Sequence, residues 1–142
     1  DVKRIKINPP LAFPEKVKEV SNLLSNAKKP VLVAGGQVHT STRSRKLVEE
    51  VAKAHNLPVL CTYEHQDIIS NDNLHYAGEL GLRPPEPVRK NALEADLVLI
   101  VGHRFNGVPN MAYKFPSSKQ KFIHVIPDPN TIGKIFFFSP IF

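Results

Sequence analysis

Apolar residues along this chain fall into two kinds of run, spaced and continuous, and the two alternate. Val17, Val20, Leu23, Leu24 and Ala27 recur three or four residues apart, which predicts an amphipathic helix. It is entered at Pro14, carries Glu15 near the positive end of its dipole, and stops before Pro30. Leu47, Val48, Val51, Ala52 and Ala54 predict a second helix, capped by Ser41 or Thr42 and finished at Asn56, since Pro58 forbids continuation. A third, short helix is predicted over 87–94. Between these lie continuous apolar runs: VLVA at 31–34, PVLCT at 58–62, DLVLIVG at 96–102 and KFIHVI at 121–126. Such runs suit strands covered on both faces, as in a parallel sheet. Helices alternating with doubly apolar strands indicate βαβ units, and hence a doubly wound parallel sheet of about five or six strands with helices on both faces.

Three stretches stand outside this pattern. Residues 1–13 (DVKRIKINPPLAF) have no helical period and contain Pro9-Pro10, so they read as an interdomain linker or lead-in, and 14–142 as the domain. Residues 63–85 are long, polar and turn-rich, with an apolar patch at Ile68-Ile69, and read as a functional or interface loop. The terminal IFFFSPIF either completes the sheet or forms an exposed apolar edge.

Composition narrows the class. A chain of 142 residues with 42% hydrophobic and 23% charged residues matches one soluble globular domain. No run approaches the roughly 20 apolar residues of a membrane span, and Asp1-Val2-Lys3-Arg4 leads into no apolar signal region. A cytoplasmic location is the expectation, and the single Cys61 agrees with a reducing compartment. The net charge of +6 raises the question of nucleic acid, but the lysines and arginines are spread along the chain with acidic residues between them. Neither a nucleic-acid nor a membrane partner is expected.

The candidate chemistry is that of binding rather than catalysis. Six of the seven glycines, Gly35, Gly36, Gly78, Gly81, Gly102 and Gly107, fall at or just after predicted strand ends or inside the long loop. In an open parallel sheet those positions converge on one crevice, where glycine serves either close approach of a nucleotide-shaped ligand or the tight turns themselves. AGGQVHT at 34–40 lacks the later glycines of the dinucleotide fingerprint, and no Walker A sequence occurs. Glu64 stands roughly where a ribose-binding acid would. His65, His75, Asp67 and Asp72 share the long loop but match no tight metal-ligand spacing. Cys61 and His124 sit in predicted strands, and no nucleophile or acid and base couple stands out.

PVLVAGG at 30–36, LPVLCTY at 57–63, HYAGELG at 75–81, EADLVLIVGHRF at 94–105 and FIHVIPDPNTIGK at 122–134 resemble, in order and spacing, the central domain of thiamine-diphosphate-dependent enzymes such as acetolactate synthase. The resemblance covers roughly residues 14–135 and implies a six-stranded Rossmann-like fold between two other domains. Those domains hold the thiamine diphosphate and magnesium, through a glutamate in one and a Gly-Asp-Gly to Asn-Asn motif in the other. This sequence contains no Gly-Asp-Gly and no Asn-Asn, so by resemblance it is a non-catalytic scaffold or nucleotide-site domain of a longer chain that forms or cleaves a carbon-carbon bond beside a carbonyl, in a homodimer or homotetramer. Some members carry FAD, ADP or coenzyme A along the strand ends; the matching positions are Gly35, Gly36, Thr62, Gly78, Gly81, Gly102, Arg104, Asn106 and Asp128. Asn106-Gly107-Val108 stands where flavin-binding members have aspartates and a second arginine, which counts against FAD, and His65-Gln66-Asp67 replaces a common Gly-Lys-Gly. A free-standing NAD-, FAD- or ADP-binding module and a pure structural spacer are the competing readings.

Overall fold

The computed structural model describes residues 11–132 and 134. Its elements run α1 (Pro14–Asn26), β1 (Pro30–Ala34), α2 (Thr42–His55), β2 (Val59–Thr62), β3 (Tyr76–Leu80), α3 (Glu86–Glu94), β4 (Leu97–Val101) and β5 (Lys121–Val125), with short 3-10 turns at 36–40, 66–68 and 129–131. All five strands are parallel, in the spatial order β3-β2-β1-β4-β5. The chain steps outward from β1 through β2 to β3, then returns across the sheet to β4 and β5. The order therefore reverses between β1 and β4, the place where doubly wound sheets open a crevice at their carboxyl ends.

The continuous apolar runs are explained by what covers each face. Leu32, Ala34, Val59, Cys61, Leu97, Leu99 and Ile123 pack with Leu24 of α1 and Val48 and Ala52 of α2. Val31, Val33, Leu60, Val98, Ile100 and Phe122 pack on the other face with Val88 and Ala92 of α3 and with Phe105 and Phe115. Adjacent strand residues point to opposite faces, so both parities must be apolar. Each Val, Leu or Ile so buried contributes roughly 1.5–3 kcal/mol.

Local signals set the helix ends. Of the two expected caps for α2, Ser41 is the one used: its hydroxyl accepts from the Ser44 N–H at 3.0 Å. At the other end Asn56 adopts a left-handed conformation (φ 50°), the buried Leu57 N–H reaches back to the Ala52 carbonyl at 2.8 Å, and Pro58 follows. Three members of the predicted apolar faces, Val17, Leu47 and Ala54, remain exposed.

At the amino ends of β1 and β4 the Asp96 carboxylate accepts from the backbone N–H groups of Lys28 (2.7 Å) and Lys29 (2.9 Å). Burial raises the Asp96 carboxyl, but N–H groups of Lys28, Lys29, Asp96 and Leu97 outweigh it and hold the group below its ordinary value. The buried Gln120 side chain similarly ties β5 to α3, donating to the carbonyls of Ala92 and Ala95, both at 2.8 Å.

One expectation is corrected. Residues 63–85 are not a single loop, for they contain β3, which pairs with β2 as an edge strand. Only Leu80 among its residues is fully buried. Its ladder is also interrupted: Val59 pairs with Tyr76 and Leu60 with Gly78, so Ala77 bulges out and Gly78 takes φ +110°. A short, half-covered, bulged strand presents no apolar run for a sequence pattern to register. The expected sixth strand, the IFFFSPIF end and most of the 1–13 lead-in lie outside the described residues.

Candidate functional site

The carboxyl ends of β1 and β4 form the rim of the crevice. There the backbone is knit across the switch point: Gly35 N–H donates to Val101, Gln37 N–H to Gly102, and Gly102 N–H to Val125, each at 2.9 Å. Val38 N–H turns back to Gly35, also at 2.9 Å. Of the four N–H groups at 35–38, only that of Gly36 is not donated to a backbone carbonyl among the described residues. The segment after β1 is a short 3-10 turn, and α2 begins only at Thr42, where Ser41 already supplies its cap. A strand running through a glycine turn straight into a helix N-terminus, the usual diphosphate cradle, is absent from this segment.

Histidines fill the space above the glycines. A methyl group at Gly35 would collide with His103 Cβ and lie 2.9 Å from the Gly102 carbonyl oxygen. One at Gly36 would meet the His65 imidazole, with Nε2 nearest and Cδ2 and Cε1 at 2.9 Å. The His65 ring is held in place. Its Nδ1 donates to the Tyr63 carbonyl at 2.7 Å, which in the neutral ring leaves Nε2 as an acceptor toward Gly36, and its backbone N–H binds Thr62 at 3.0 Å. Beside it, 6.0 Å between ring centroids, lies His39, whose Nε2 is 2.7 Å from Asp67 Oδ1. That contact, foremost among its causes, holds the Asp67 carboxyl below its ordinary value.

His103 accepts from the Phe105 N–H at 2.7 Å through Nδ1, while its carbonyl accepts from His124 Nε2 at 2.8 Å. Burial, then the neighbouring His65 and His124, lower its pKa from 6.5 to about 4. His124 is also lowered, chiefly by burial, and its Nδ1 has no hydrogen-bond partner among the described residues. Phe105, fully buried in spite of φ 61°, packs edge-on against Phe115.

The structure groups some of the candidate residues and separates others. Gly35, Gly36 and Gly102 meet at the switch point, and buried Thr62 reaches the group through His65, Oγ1 to Nδ1 at 3.4 Å. Gly78 and Gly81 border a separate shallow cleft beside β3, lined also by Tyr63, Tyr76 and Arg83. There Gly78 is packed under Val88 of α3, so it answers to helix-sheet contact as well as to the bulge. Arg104 and Asn106 are exposed on the loop after β4. Asp128 is exposed, and its carboxylate accepts from Asn130 N–H at 3.0 Å, capping the 129–131 turn. Glu64 is exposed, its N–H bound by Glu79 at 3.0 Å.

His65 and His103 as the neighbours of Gly36 and Gly35 were not legible in the sequence; the only signal was that His103 directly follows Gly102. Burial pushes the Cys61 thiol up to about 12, so it offers no nucleophile. Among the described residues no group of three or more His, Cys, Asp or Glu is arranged to hold a metal ion, and no helix is long and apolar enough to cross a membrane.

The sequence profile described as "Thiamine pyrophosphate enzyme, central domain" matches residues 17–139. The chain belongs to this family. It is 31% identical over 134 residues to the probable acetolactate synthase large subunit of Methanococcus aeolicus, covering 94% of this chain and 22% of that protein. Over 101 residues it is 34% identical to the 3D-(3,5/4)-trihydroxycyclohexane-1,2-dione hydrolase of Clostridium botulinum, covering 71% of this chain and 16% of that protein. Over 126 residues it is 28% identical to the acetolactate synthase isozyme 2 large subunit of Escherichia coli K12, covering 88% and 23% respectively. The chain thus spans no more than about a quarter of the length of these relatives. As a thiamine pyrophosphate enzyme central domain it has the parallel α/β sheet that its residues predict, and the family assignment agrees with the resemblance carried by its five sequence segments.

Proposed function

We propose that this domain is the scaffold of a larger thiamine-diphosphate-dependent enzyme that makes or breaks a carbon-carbon bond beside a carbonyl, of the acetolactate synthase kind. The observation that carries the reading is the family match over most of a chain whose switch point is closed by its own histidines. Thiamine diphosphate, when bound, supplies the electron sink next to the substrate carbonyl. It and magnesium belong to the flanking domains, and this domain's share is to hold those domains in register within a cytoplasmic homodimer or homotetramer. Imidazoles lie against the Gly35-Gly36 turn, which counts against FAD and ADP, the nucleotides that the resemblance allows, at that place. The exposed Arg104 and Asn106 provide no substitute cradle.

The test is turnover of pyruvate by the full-length protein with thiamine diphosphate and Mg²⁺, read as carbon dioxide release and acetolactate formation. Activity that requires both additions, and its absence from the isolated 142-residue chain, supports the proposal. Turnover by the isolated chain, or by the full-length protein without thiamine diphosphate, overturns it.

A further inference from the structure

We propose that His65 bars a diphosphate from this crevice, its imidazole occupying the ligand's place at the switch point between β1 and β4. In sheets of this topology the glycine turn after the first strand is where a pyrophosphate comes closest to the backbone. Here the N–H groups of Gly35, Gln37 and Val38 bind backbone carbonyls, and among the described residues that of Gly36 does not. Gly36 is also the residue whose face the His65 ring covers. The ring is held by its Nδ1, which donates to the Tyr63 carbonyl, the backbone N–H of His65 binds the Thr62 carbonyl, and His39 stands beside the ring, its Nε2 against Asp67. His65 therefore excludes a phosphate by occupying the volume over Gly36 that the ligand would need.

The inference is independent of the parent's reaction, and its test does not use turnover. ADP, FAD and coenzyme A are titrated by calorimetry into the full-length protein, wild type and the variants His65→Gly, His65→Ala and His65→Phe. Wild type and His65→Phe, which keeps a ring of similar bulk, are expected to give no binding at millimolar nucleotide. His65→Gly and His65→Ala are expected to gain affinity for ADP of about tenfold or more. The proposal is overturned if wild type binds ADP and loses affinity on His65→Ala, which would make His65 a phosphate ligand. It is equally overturned if the small variants, shown folded by circular dichroism, gain nothing. Should they fail to fold, Gly36→Ala provides the second measurement. It is expected to lower the Tm of the wild type and to lower it by less than half as much in the His65→Asn background, where the shorter side chain leaves room; an equal loss in both overturns the contact and the proposal with it.

Discussion

Gly35→Ala isolates the claim that these glycines answer to protein packing before any ligand. Gly35 has φ −120° and ψ 178°, extended backbone open to alanine, so the cost of the substitution is steric. The new methyl would lie 2.9 Å from the Gly102 carbonyl oxygen and 2.9 Å from His103 Cδ2, with His103 Cβ closer still. A carbonyl and a Cβ cannot rotate away. Their distance from Gly35 is set by the β1-β4 ladder, in which Ala34 pairs with Val101. Overpacking of this kind costs about 1–3 kcal/mol, and a rigid neighbour places it near the top of the range. Loss of glycine's freedom in the unfolded chain returns about 0.4–1 kcal/mol, leaving roughly 2 kcal/mol of destabilisation. At about 3–4 °C per kcal/mol for a domain of this size, Tm falls by roughly 6–8 °C. Gly81→Ala is the control, because its nearest neighbours would be 3.7 Å away and its change should stay within about 0.5 kcal/mol. Both are measured by thermal and urea unfolding without nucleotide. If Gly35→Ala proves as stable as Gly81→Ala, the close approach of His103 and Gly102 to Gly35 is wrong.

Three further outcomes follow from the described contacts. Asp96→Ala removes the acceptor for the Lys28 and Lys29 N–H groups and is expected to cost about 1–2 kcal/mol in urea unfolding; a loss near zero would show that water replaces the carboxylate freely. His103, at about 4 against an ordinary 6.5, binds protons more weakly folded than unfolded. Its contribution is therefore complete above pH 6.5 and is lost as pH falls toward 4, and His124, also lowered, acts in the same direction. His103→Asn, which keeps an acceptor near the Phe105 N–H, should flatten the dependence of the urea midpoint on pH between those limits; identical slopes would refute the assignment. Cys61, buried and pushed up to about 12, should resist a thiol reagent at pH 8 in the folded protein and react at once in urea; rapid labelling without denaturant would contradict its place in β2.

Four of the described strands could be read from the chain itself: VLVA, VLCT and LVLIV because a strand covered on both faces must be apolar along its length, and KFIHV because its centre is buried although its ends are exposed. The limits of α2 were equally legible, since Ser41, Asn56 and Pro58 act on their immediate neighbours. β3 escaped because it lies at an edge, half covered and bulged, and its order beside β2 comes from pairing between segments distant in sequence. For the site, the glycines were visible but their purpose was not. Gly36 faces His65 and Gly35 faces His103 only after the parallel ladder has brought the ends of β2, β1 and β4 to one rim. Local preferences are written in adjacent residues; what fills the volume above a glycine depends on which distant side chain the packed sheet delivers there.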